Sequence, residues 1–346
     1  MRAAQFDRFA GPIDIRTLPD PAPPPDGVVL RVTATGICRS DWHGWQGHDP
    51  DITLPHVPGH ELAGEVVATG AAVRRWHGGE RVTLPFVCGC GACPQCRSGN
   101  HQVCDRQFQP GFTHNGSFAE YVAIHYADTN LVALPEGMDD GAAAALGCRF
   151  ITAFRAVIEQ GRLRGGEWTA VYGCGGVGLS AVMIAAATGS RIIAVDIDTD
   201  RLATAAALGA EVCLDAGAEA DIVAAVRDAS NGGVHLGIDA LGSAATCRNS
   251  IRSLRKRGRH VQVGLLTGSD HAPALPMDRV IAHELEILGS HGMAAFRFEA
   301  VFDLLKRGGL DPGRLVDRRV DLTDGIAALC SEAAFRGPGV MIIDRF

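Results

Sequence analysis

The chain has 346 residues, 47% of them hydrophobic and 21% charged, a composition typical of a soluble globular protein with two domains or one large one. Its formal net charge of −7 gives no basic footprint for nucleic acid and no cationic face for a membrane, so we expect neither partner. The first residues, MRAAQFDRFAGPIDIR, lack the apolar core of a signal peptide, and we therefore expect a cytoplasmic protein. In that reducing compartment, eleven cysteines predict metal ligands or buried thiols rather than disulfides.

The first 150 residues predict a mostly β domain. Short segments rich in Val, Thr and Ala recur between Gly, Pro and Asp residues, which favours strands separated by turns. These segments are VVLRVTATG, LAGEVVATG, RVTLPF and SFAEYVAI.

The stretch from Gly36 to Glu65 carries the first candidate metal ligands. It places Cys38 near its start and His60 with Glu61 near its end, and a thiolate and an imidazole both suit zinc. Two ligands do not complete a site, and Cys148, in AALGCRFITAF, is the best candidate for a third. Three protein ligands would leave the fourth tetrahedral position open, which is typical of a catalytic zinc.

A second set of cysteines follows within the β region, in the segment 88–104. Four of them have the spacing C-x2-C-x2-C-x7-C, and four thiolates close a tetrahedron without an open position. We therefore predict a structural zinc lobe held by Cys90, Cys93, Cys96 and Cys104. Cys88 has the wrong spacing and is expected to be a spare thiol.

Alternating strands and helices begin after Cys148. The buried strand WTAVY leads into a glycine-rich turn and an alanine-rich helix, and the next strand, RIIAVDID, reaches Asp196 about twenty residues later. This context predicts a dinucleotide site in which the glycines admit the pyrophosphate at the helix N-terminus. The predicted contacts in the turn are Gly173, Gly175, Gly176, Val177 and Gly178.

Asp196 favours NAD over NADP, because its carboxylate would accept ribose hydroxyls and repel a 2′-phosphate. Arg201 leaves NADP as an alternative, since a cation can contact the ribose from the same side. Val263 and Leu265, at the end of the later strand RHVQVGLL, complete the candidate cofactor contacts.

Four further strands, EVCLD, VHLGIDALG, RHVQVGLL and LEILGSHG, bring the total to the six of a doubly wound nucleotide domain. A basic run from Arg252 to Arg259 is interpreted as a solvated helix end closed by Gly258. The tail predicts a helix (FRFEAVFDLLKRG), a loop, a second helix and a final strand (VMIID), and we expect it to pack on the first domain.

Taken in order, GICRSD, GHE, the four-cysteine lobe, the Cys148 segment, GCGGVG and Asp196 resemble the zinc-dependent alcohol dehydrogenases of the medium-chain dehydrogenase/reductase superfamily. The resemblance implies a GroES-like, mostly β catalytic domain formed by residues 1–150 and 293–346. It also implies an inserted doubly wound, parallel-sheet Rossmann domain at residues 151–292 that binds NAD, with the active site in the cleft between the two domains.

The resemblance also assigns roles around the metal. Cys38, His60 and Cys148 match the ligands of the catalytic zinc. Glu61 matches an acid that approaches the metal during ligand exchange, and Asp41 matches the carboxylate that orients the ligand histidine.

Five further positions match groups that contact substrate or cofactor in the family. Ser40 corresponds to the hydroxyl that hydrogen-bonds the substrate oxygen, and His43 to the outer end of a proton relay. Arg39 corresponds to a pyrophosphate contact. Phe86 and Trp45 correspond to walls of the substrate pocket, although both could equally be core aromatics.

One family feature is missing. The family usually has a late arginine that reaches the pyrophosphate, whereas Pro338 stands near that place in FRGPGVMIID. Arg336 is the cation that could replace it.

The implied activity interconverts an alcohol and an aldehyde or ketone, with hydride transfer to or from NAD and two zinc ions per chain. Polyol dehydrogenases remain an alternative, but they commonly use a glutamate as third ligand, and thiol-dependent formaldehyde dehydrogenases share these ligands. A catalytically idle zinc- and NAD-binding sensing module would need a defect among the ligands, and none is visible. By analogy with the family we expect a homotetramer or homodimer.

Overall fold

The computed structural model describes residues 1–337 and 339–346, so Pro338 lies outside the described residues. The chain divides into two compact units. The first unit consists of Met1–Ile151, Gly292–Leu305 and Asp311–Phe346, and the second of Thr152–His291 and Lys306–Leu310.

Strands are numbered here in chain order over the described residues. They are β1 Arg2–Gln5, β2 Asp14–Thr17, β3 Val28–Gly36, β4 Glu61–Thr69, β5 Arg81–Thr83, β6 Tyr121–Ile124, β7 Val132–Ala133, β8 Trp168–Tyr172, β9 Arg191–Asp196, β10 Val212–Asp215, β11 Val234–Asp239, β12 Leu254–Gln262, β13 Glu286–Gly289, β14 Val316–Asp321 and β15 Val340–Arg345.

Helices are numbered in the same way. They are α1 Arg39–Trp45, α2 Pro94–Arg97, α3 Ala127–Asn130, α4 Asp140–Ala145, α5 Ile151–Phe154, α6 Gly176–Ala187, α7 Thr199–Ala207, α8 Ile222–Ala229, α9 Ala244–Ser253, α10 Met277–His283, α11 Phe298–Gly308 and α12 Leu322–Cys330.

The main sheet of the first unit has the strand order β14-β15-β3-β4-β5-β7, with β6 paired to β3. The last strand, β15, runs antiparallel to β3 at Thr35 and Gly36, so the tail of the chain completes the sheet begun by the first residues. A core of buried side chains such as Leu30, Leu62 and Val82 lies against this sheet. The sheet therefore fixes the ends of β3 and β4, from which Cys38 and His60 extend.

One strand of the tail was missed by the sequence prediction, which placed a loop between the two tail helices. Val316–Asp321 forms β14 and pairs in parallel with β15. Its sequence, VDRRVD, is largely charged because β14 is an edge strand of the sheet, and charged edge strands lack the hydrophobic pattern of central ones.

A long apolar helical segment, Asp140–Gln160, contains α4, α5 and two π-helical turns, Leu146–Phe150 and Arg155–Gln160. By length and composition it could cross a membrane, but 83% of its most apolar window is buried inside the protein. Such burial is characteristic of a core helix. The first π-helical turn contains Cys148, and π turns often occur at functional sites.

The second unit contains a six-stranded parallel sheet of order β10-β9-β8-β11-β12-β13. All five residues of β8 are buried, as expected for a central parallel strand covered on both faces. The strand order reverses between β8 and β11, which creates a crevice at their carboxyl ends. The strand orders confirm the predicted combination of a mostly β unit with a doubly wound parallel sheet.

The interpretation of the basic run as a helix end is wrong. Helix α9 ends at Ser253, and Arg255 to Arg259 belong to strand β12. The pairing of β12 with β11 shifts between Leu254 and Arg259, so the intervening basic residues bulge out of the ladder, with Arg257 at a φ of 61°. A bulge of basic residues hides a strand from any pattern based on hydrophobic alternation.

Candidate metal centres and cofactor site

Three distant segments of the first unit bring four ligand-type side chains together. The ligand atoms of Cys38, His60, Glu61 and Cys148 all lie within 4.8 Å of one another, and we call this group the mixed-ligand cluster. Cys38 precedes α1, His60 precedes β4, and Cys148 lies in the π turn 146–150. None of the four side chains is more than 9% exposed, so the cluster is a buried polar site.

Asp41 connects two of these segments. Its Oδ2 accepts the backbone N–H of Cys38 at 2.8 Å, and its Oδ1 accepts Nδ1–H of His60 at 2.8 Å. Oδ1 also accepts the backbone N–H of Gly59 at 3.2 Å. One buried carboxylate therefore fixes the tautomer and orientation of the imidazole and the backbone at the first cysteine.

The cluster fits a metal ion. With Nδ1 of His60 bound to Asp41, its Nε2 is a buried atom without a hydrogen-bond partner among the described residues. Buried polar atoms are normally satisfied, so an orphan nitrogen facing two cysteines indicates a ligand. Two sulfurs and an imidazole are a donor set typical of zinc.

The two cysteines of the cluster are coupled. The Cys148 thiol, donating to Cys38, lowers the pKa of Cys38 well below its ordinary value, and burial opposes this shift. The same interaction raises the pKa of Cys148 well above its ordinary value. Cys38 is therefore the more acidic thiol, and a bound cation favours the thiolate form of both.

Arg149 is a polar neighbour of the cluster that sequence reasoning missed. Its Nη2 lies 2.9 Å from Glu61 Oε2 and donates to the carbonyl of Ile37. Burial raises the pKa of Glu61 to about 7, and the charge of Arg149 opposes that shift. The signal was present in the sequence, because Arg149 is the only charged residue of the apolar run AALGCRFITAF.

The two residues predicted to handle the substrate proton lie on α1. Ser40 and His43 are three positions apart, so they share a face of this helix. Nδ1 of His43 lies 3.0 Å from Nδ1 of His48, a residue that sequence reasoning did not select. Burial lowers the pKa of His43, and His48 and Arg39 lower it further, so the neutral imidazole is favoured.

Aromatic rings flank the ligand histidine. The ring centroids of Phe86 and Phe112 lie 6.0 and 5.1 Å from that of His60. Phe86 was selected from the sequence as a pocket wall, whereas Phe112 was not. Trp45 packs with Phe112 and its neighbours in a separate core cluster, and its indole N–H donates to the Gly11 carbonyl at 2.8 Å, which favours the packing interpretation.

The predicted pyrophosphate contact, Arg39, is half-exposed at the start of α1. Its guanidinium lies 4.6 Å from the ring centroid of Phe335 and 3.5 Å from the Glu332 carboxylate. Arg336 is exposed in the following turn. The structure thus places both candidate cations on the surface of the first unit.

The four cysteines of the predicted lobe form the second candidate metal site, the four-cysteine cluster. Their sulfurs lie within 4.8 Å of one another. Backbone N–H groups point at these sulfurs: Cys93 N–H donates to Cys90 at 3.4 Å, Cys96 N–H to Cys93 at 3.4 Å, and Cys90 N–H to Cys104 at 3.3 Å. Such donors stabilise thiolates, as a metal site with four sulfur ligands requires.

The glycine-rich turn of the second unit has the close backbone approach expected of a pyrophosphate site. Gly173, directly after β8, has a φ of 91°, and a Cβ on Gly178 would lie 1.8 Å from its carbonyl oxygen. The space around Gly175 is open, since a Cβ there would meet no atom within 4 Å. The turn leads directly into α6, whose N-terminus can receive an anion.

A cavity of about 170 Å³ lies beside this turn, and its lining includes Gly173, Asp196, Arg201 and Leu241. The Asp196 carboxylate accepts backbone N–H groups of Cys174 at 2.5 Å and of Ile197 at 2.8 Å. These bonds place a fixed negative charge in the cavity wall.

The remaining predicted cofactor contacts also lie at this end of the sheet. Val263 and Leu265 follow β12, and the Val263 N–H donates to the Asp239 carbonyl at 3.0 Å, at the end of β11. Gly176 and Val177 form the first turn of α6.

Other cysteines and histidines play no part in these groups. Cys88, Cys174 and Cys247 are buried free thiols, and Cys330 is partly buried. Cys213, which we expected to be buried, is exposed because it lies on the short strand β10 at the sheet edge. Burial in the second unit lowers the pKa of His260 to about 4.

Two protein-family models match the chain. The alcohol dehydrogenase GroES-like domain matches residues 24–136, and the zinc-binding dehydrogenase family matches residues 176–307. An alcohol dehydrogenase of Rhizobium meliloti (strain 1021) is 33% identical over 340 residues, which cover 91% of this chain and 98% of that protein.

Comparison with solved structures agrees. The alcohol dehydrogenase TADH of Thermus sp. ATN1 superimposes with a TM-score of 0.90 at 30% identity, over 100% of both chains. A zinc-binding dehydrogenase of Sinorhizobium meliloti 1021, whose structure contains NADP, gives a TM-score of 0.88 at 27% identity, over 99% of this chain and 98% of that one.

Proposed function

Since the chain belongs to the zinc-dependent alcohol dehydrogenases of the medium-chain dehydrogenase/reductase superfamily, we propose that it uses one catalytic zinc and NAD to interconvert an alcohol with its aldehyde or ketone. Its relatives are alcohol dehydrogenases, so the chain is an oxidoreductase acting on small molecules.

The observation that carries the proposal is the convergence of Cys38, His60 and Cys148 around the orphan Nε2 of His60. These three donors leave one tetrahedral position open, in contrast to the closed four-cysteine cluster. A cysteine at position 148 also disfavours a polyol dehydrogenase, in which a glutamate commonly provides the third ligand.

When bound in the mixed-ligand cluster, zinc supplies a Lewis acid for an alcohol or carbonyl oxygen. Asp41 would hold His60 in the tautomer that presents Nε2, and Phe86 and Phe112 would exclude water from one side. Glu61 would stay close to the ligands without being one of the three.

Ser40 and His43 would move the alcohol proton. The Ser40 hydroxyl would accept the proton of the substrate hydroxyl, and His43, on the same helix face, would stand at the outer end of the relay. Because burial favours the neutral form of His43, this imidazole could accept a proton, and His48 at 3.0 Å offers a further acceptor at the surface.

In the second unit, NAD would bind along the glycine-rich turn and in the cavity beside Asp196. NAD supplies a nicotinamide that exchanges hydride with the substrate. Asp196 would accept ribose hydroxyls and repel a 2′-phosphate, which supports NAD over NADP. Arg201 lines the same cavity and is the residue through which NADP could still bind.

The four-cysteine cluster would hold a second, structural zinc, which gives two zinc ions per chain. The free state of all eleven cysteines supports a reducing, cytoplasmic location. A homodimer or homotetramer stays a prediction from the family resemblance.

A panel of primary, secondary, aromatic and polyol alcohols, assayed with NAD and with NADP on protein of known zinc content, tests the proposal. We expect two zinc ions per chain and NAD-dependent turnover of at least one alcohol class. Protein that binds two zinc ions and NAD but converts no alcohol or carbonyl in the panel would instead be an idle sensing module.

A further inference from the structure

Arg149 contacts the chain on either side of the mixed-ligand cluster. It follows Cys148 directly in the π turn, donates to the carbonyl of Ile37 next to Cys38, and lies 2.9 Å from Oε2 of Glu61 next to His60. Its side chain is 8% exposed and that of Glu61 is fully buried. A buried arginine therefore touches segments that present all three proposed zinc ligands.

Glu61 has few alternatives to this contact. Its carboxylate lies within reach of a metal held by the cluster, since its ligand atom is within 4.8 Å of the other three. On another side the carboxylate lies so close to Gly36 that a Cβ there would be 2.3 Å from Oε2. Neither oxygen has a directional hydrogen bond among the described residues, so charge attraction to Arg149 is what holds this carboxylate.

The charges of the cluster indicate that the position of Glu61 depends on its attraction to Arg149. Two thiolates balance a zinc ion, and Glu61 then adds a buried carboxylate whose ion-pair partner among the described residues is Arg149. The Asp41 carboxylate is held by hydrogen bonds from His60 and from backbone N–H groups. The Glu61 carboxylate has no such hydrogen bonds among the described residues. Without Arg149, a metal held by the cluster would attract the Glu61 carboxylate unopposed by this ion pair.

We propose that Arg149 is a positioning residue that holds Glu61 beside the catalytic metal and so keeps the fourth coordination position open. This inference rests on the proposed function, because it requires a metal in the mixed-ligand cluster. If Arg149 is removed, Glu61 moves onto the metal and competes with any ligand that enters from solution.

Cobalt(II) in place of the catalytic zinc, with zinc retained in the four-cysteine cluster, provides a readout that does not need turnover. Imidazole is titrated into this protein, and its binding is followed by the visible cobalt spectrum. We expect Arg149→Gln to weaken imidazole binding by about tenfold or more, the scale on which outer partners of metal ligands act. Glu61→Gln is titrated beside it as the reference for a cluster without this carboxylate.

The double variant, Arg149→Gln with Glu61→Gln, is the matched control. The proposal predicts that it recovers the imidazole affinity of Glu61→Gln, because no carboxylate remains to occupy the metal. A defect that persists in the double variant, or an unchanged affinity in Arg149→Gln, overturns the proposal.

Arg149→Gln leaves a buried unpaired carboxylate. If this variant does not fold, the double variant tests the proposal in its place. The proposal predicts that the double variant folds and binds imidazole, whereas its failure to fold would make Arg149 purely structural and overturn the proposal. A wild-type protein that takes up no cobalt in this cluster would instead overturn the proposed function, and the inference with it.

Discussion

The two candidate zinc sites are built in opposite ways. The four-cysteine cluster uses 15 consecutive residues, Cys90 to Cys104, whose own backbone N–H groups bond the sulfurs. The mixed-ligand cluster collects residues that are up to 110 positions apart and orients them through Asp41. A closed local site can stabilise a loop, whereas an open site made from distant segments can admit a substrate and depends on the whole fold around it.

The largest expected effect comes from breaking the open site at its most distant ligand. Cys148→Ala should lower activity by at least about a thousandfold and reduce zinc from two ions to one per chain, because two donors hold zinc poorly. Metal analysis and turnover of the best alcohol measure both effects. Cys88→Ala, a buried thiol outside both clusters, is the control and should keep two zinc ions; unchanged turnover in Cys148→Ala would remove this cysteine from the site.

Breaking the closed site should act on stability instead. Cys104→Ser should release one zinc and lower the free energy of unfolding by roughly 3 kcal/mol or more, because metal binding in such a lobe contributes directly to folding. Denaturant unfolding of this variant and of Cys330→Ser, a partly buried cysteine outside the clusters, makes the comparison. Equal stability of the two variants would mean that the lobe does not depend on its metal.

A smaller effect is expected from the carboxylate that orients the open site. Asp41→Asn should weaken zinc binding in the mixed-ligand cluster by about 10- to 100-fold and leave the four-cysteine cluster loaded. Competition with a chelator, followed by metal content, separates the two sites. Asp49→Asn is the control, since the Asp49 carboxylate caps its own turn through the Asp51 N–H and belongs to neither cluster, so it should change neither site. Equal zinc loss from both sites would show that Asp41 does not act on the mixed-ligand cluster alone.

The mildest change should leave both metals in place. Asp196→Gly is expected to lower the preference for NAD over NADP, as a ratio of kcat/KM values, by at least about tenfold, because the repulsion of a 2′-phosphate is lost. Two zinc ions per chain should remain, since Asp196 lies in the second unit. Asp200→Asn, an exposed acid on α7, should keep the preference, and a wild type that already prefers NADP would refute the role of Asp196.

Most of the site residues that the sequence could predict belong to local patterns. The C-x2-C-x2-C-x7-C spacing brings four sulfurs together with little help from the rest of the fold, and the glycine turn between β8 and α6 is equally local. The resemblance to a known family supplied the fold class and the choice of Cys148 as partner for Cys38.

The rest depends on contacts that no local pattern encodes. Arg149 and Glu61 are 88 positions apart in the sequence. Their ion pair forms only because the fold places the π turn beside β4. His48 acquires its partner because the chain turns back after α1. Strand β14 and the basic part of β12 were missed because their charged residues lie at an edge and in a bulge, where burial does not impose a hydrophobic pattern.

The most direct test of an open metal site is an anomalous difference map at the zinc edge from crystals of the full chain. The account predicts two zinc peaks. One should be surrounded by Cys90, Cys93, Cys96 and Cys104, and the other should be bound by Cys38 Sγ, His60 Nε2 and Cys148 Sγ with a non-protein group in the fourth position. A single peak at the four-cysteine cluster, or Glu61 fixed as the fourth ligand of the second zinc, would contradict it.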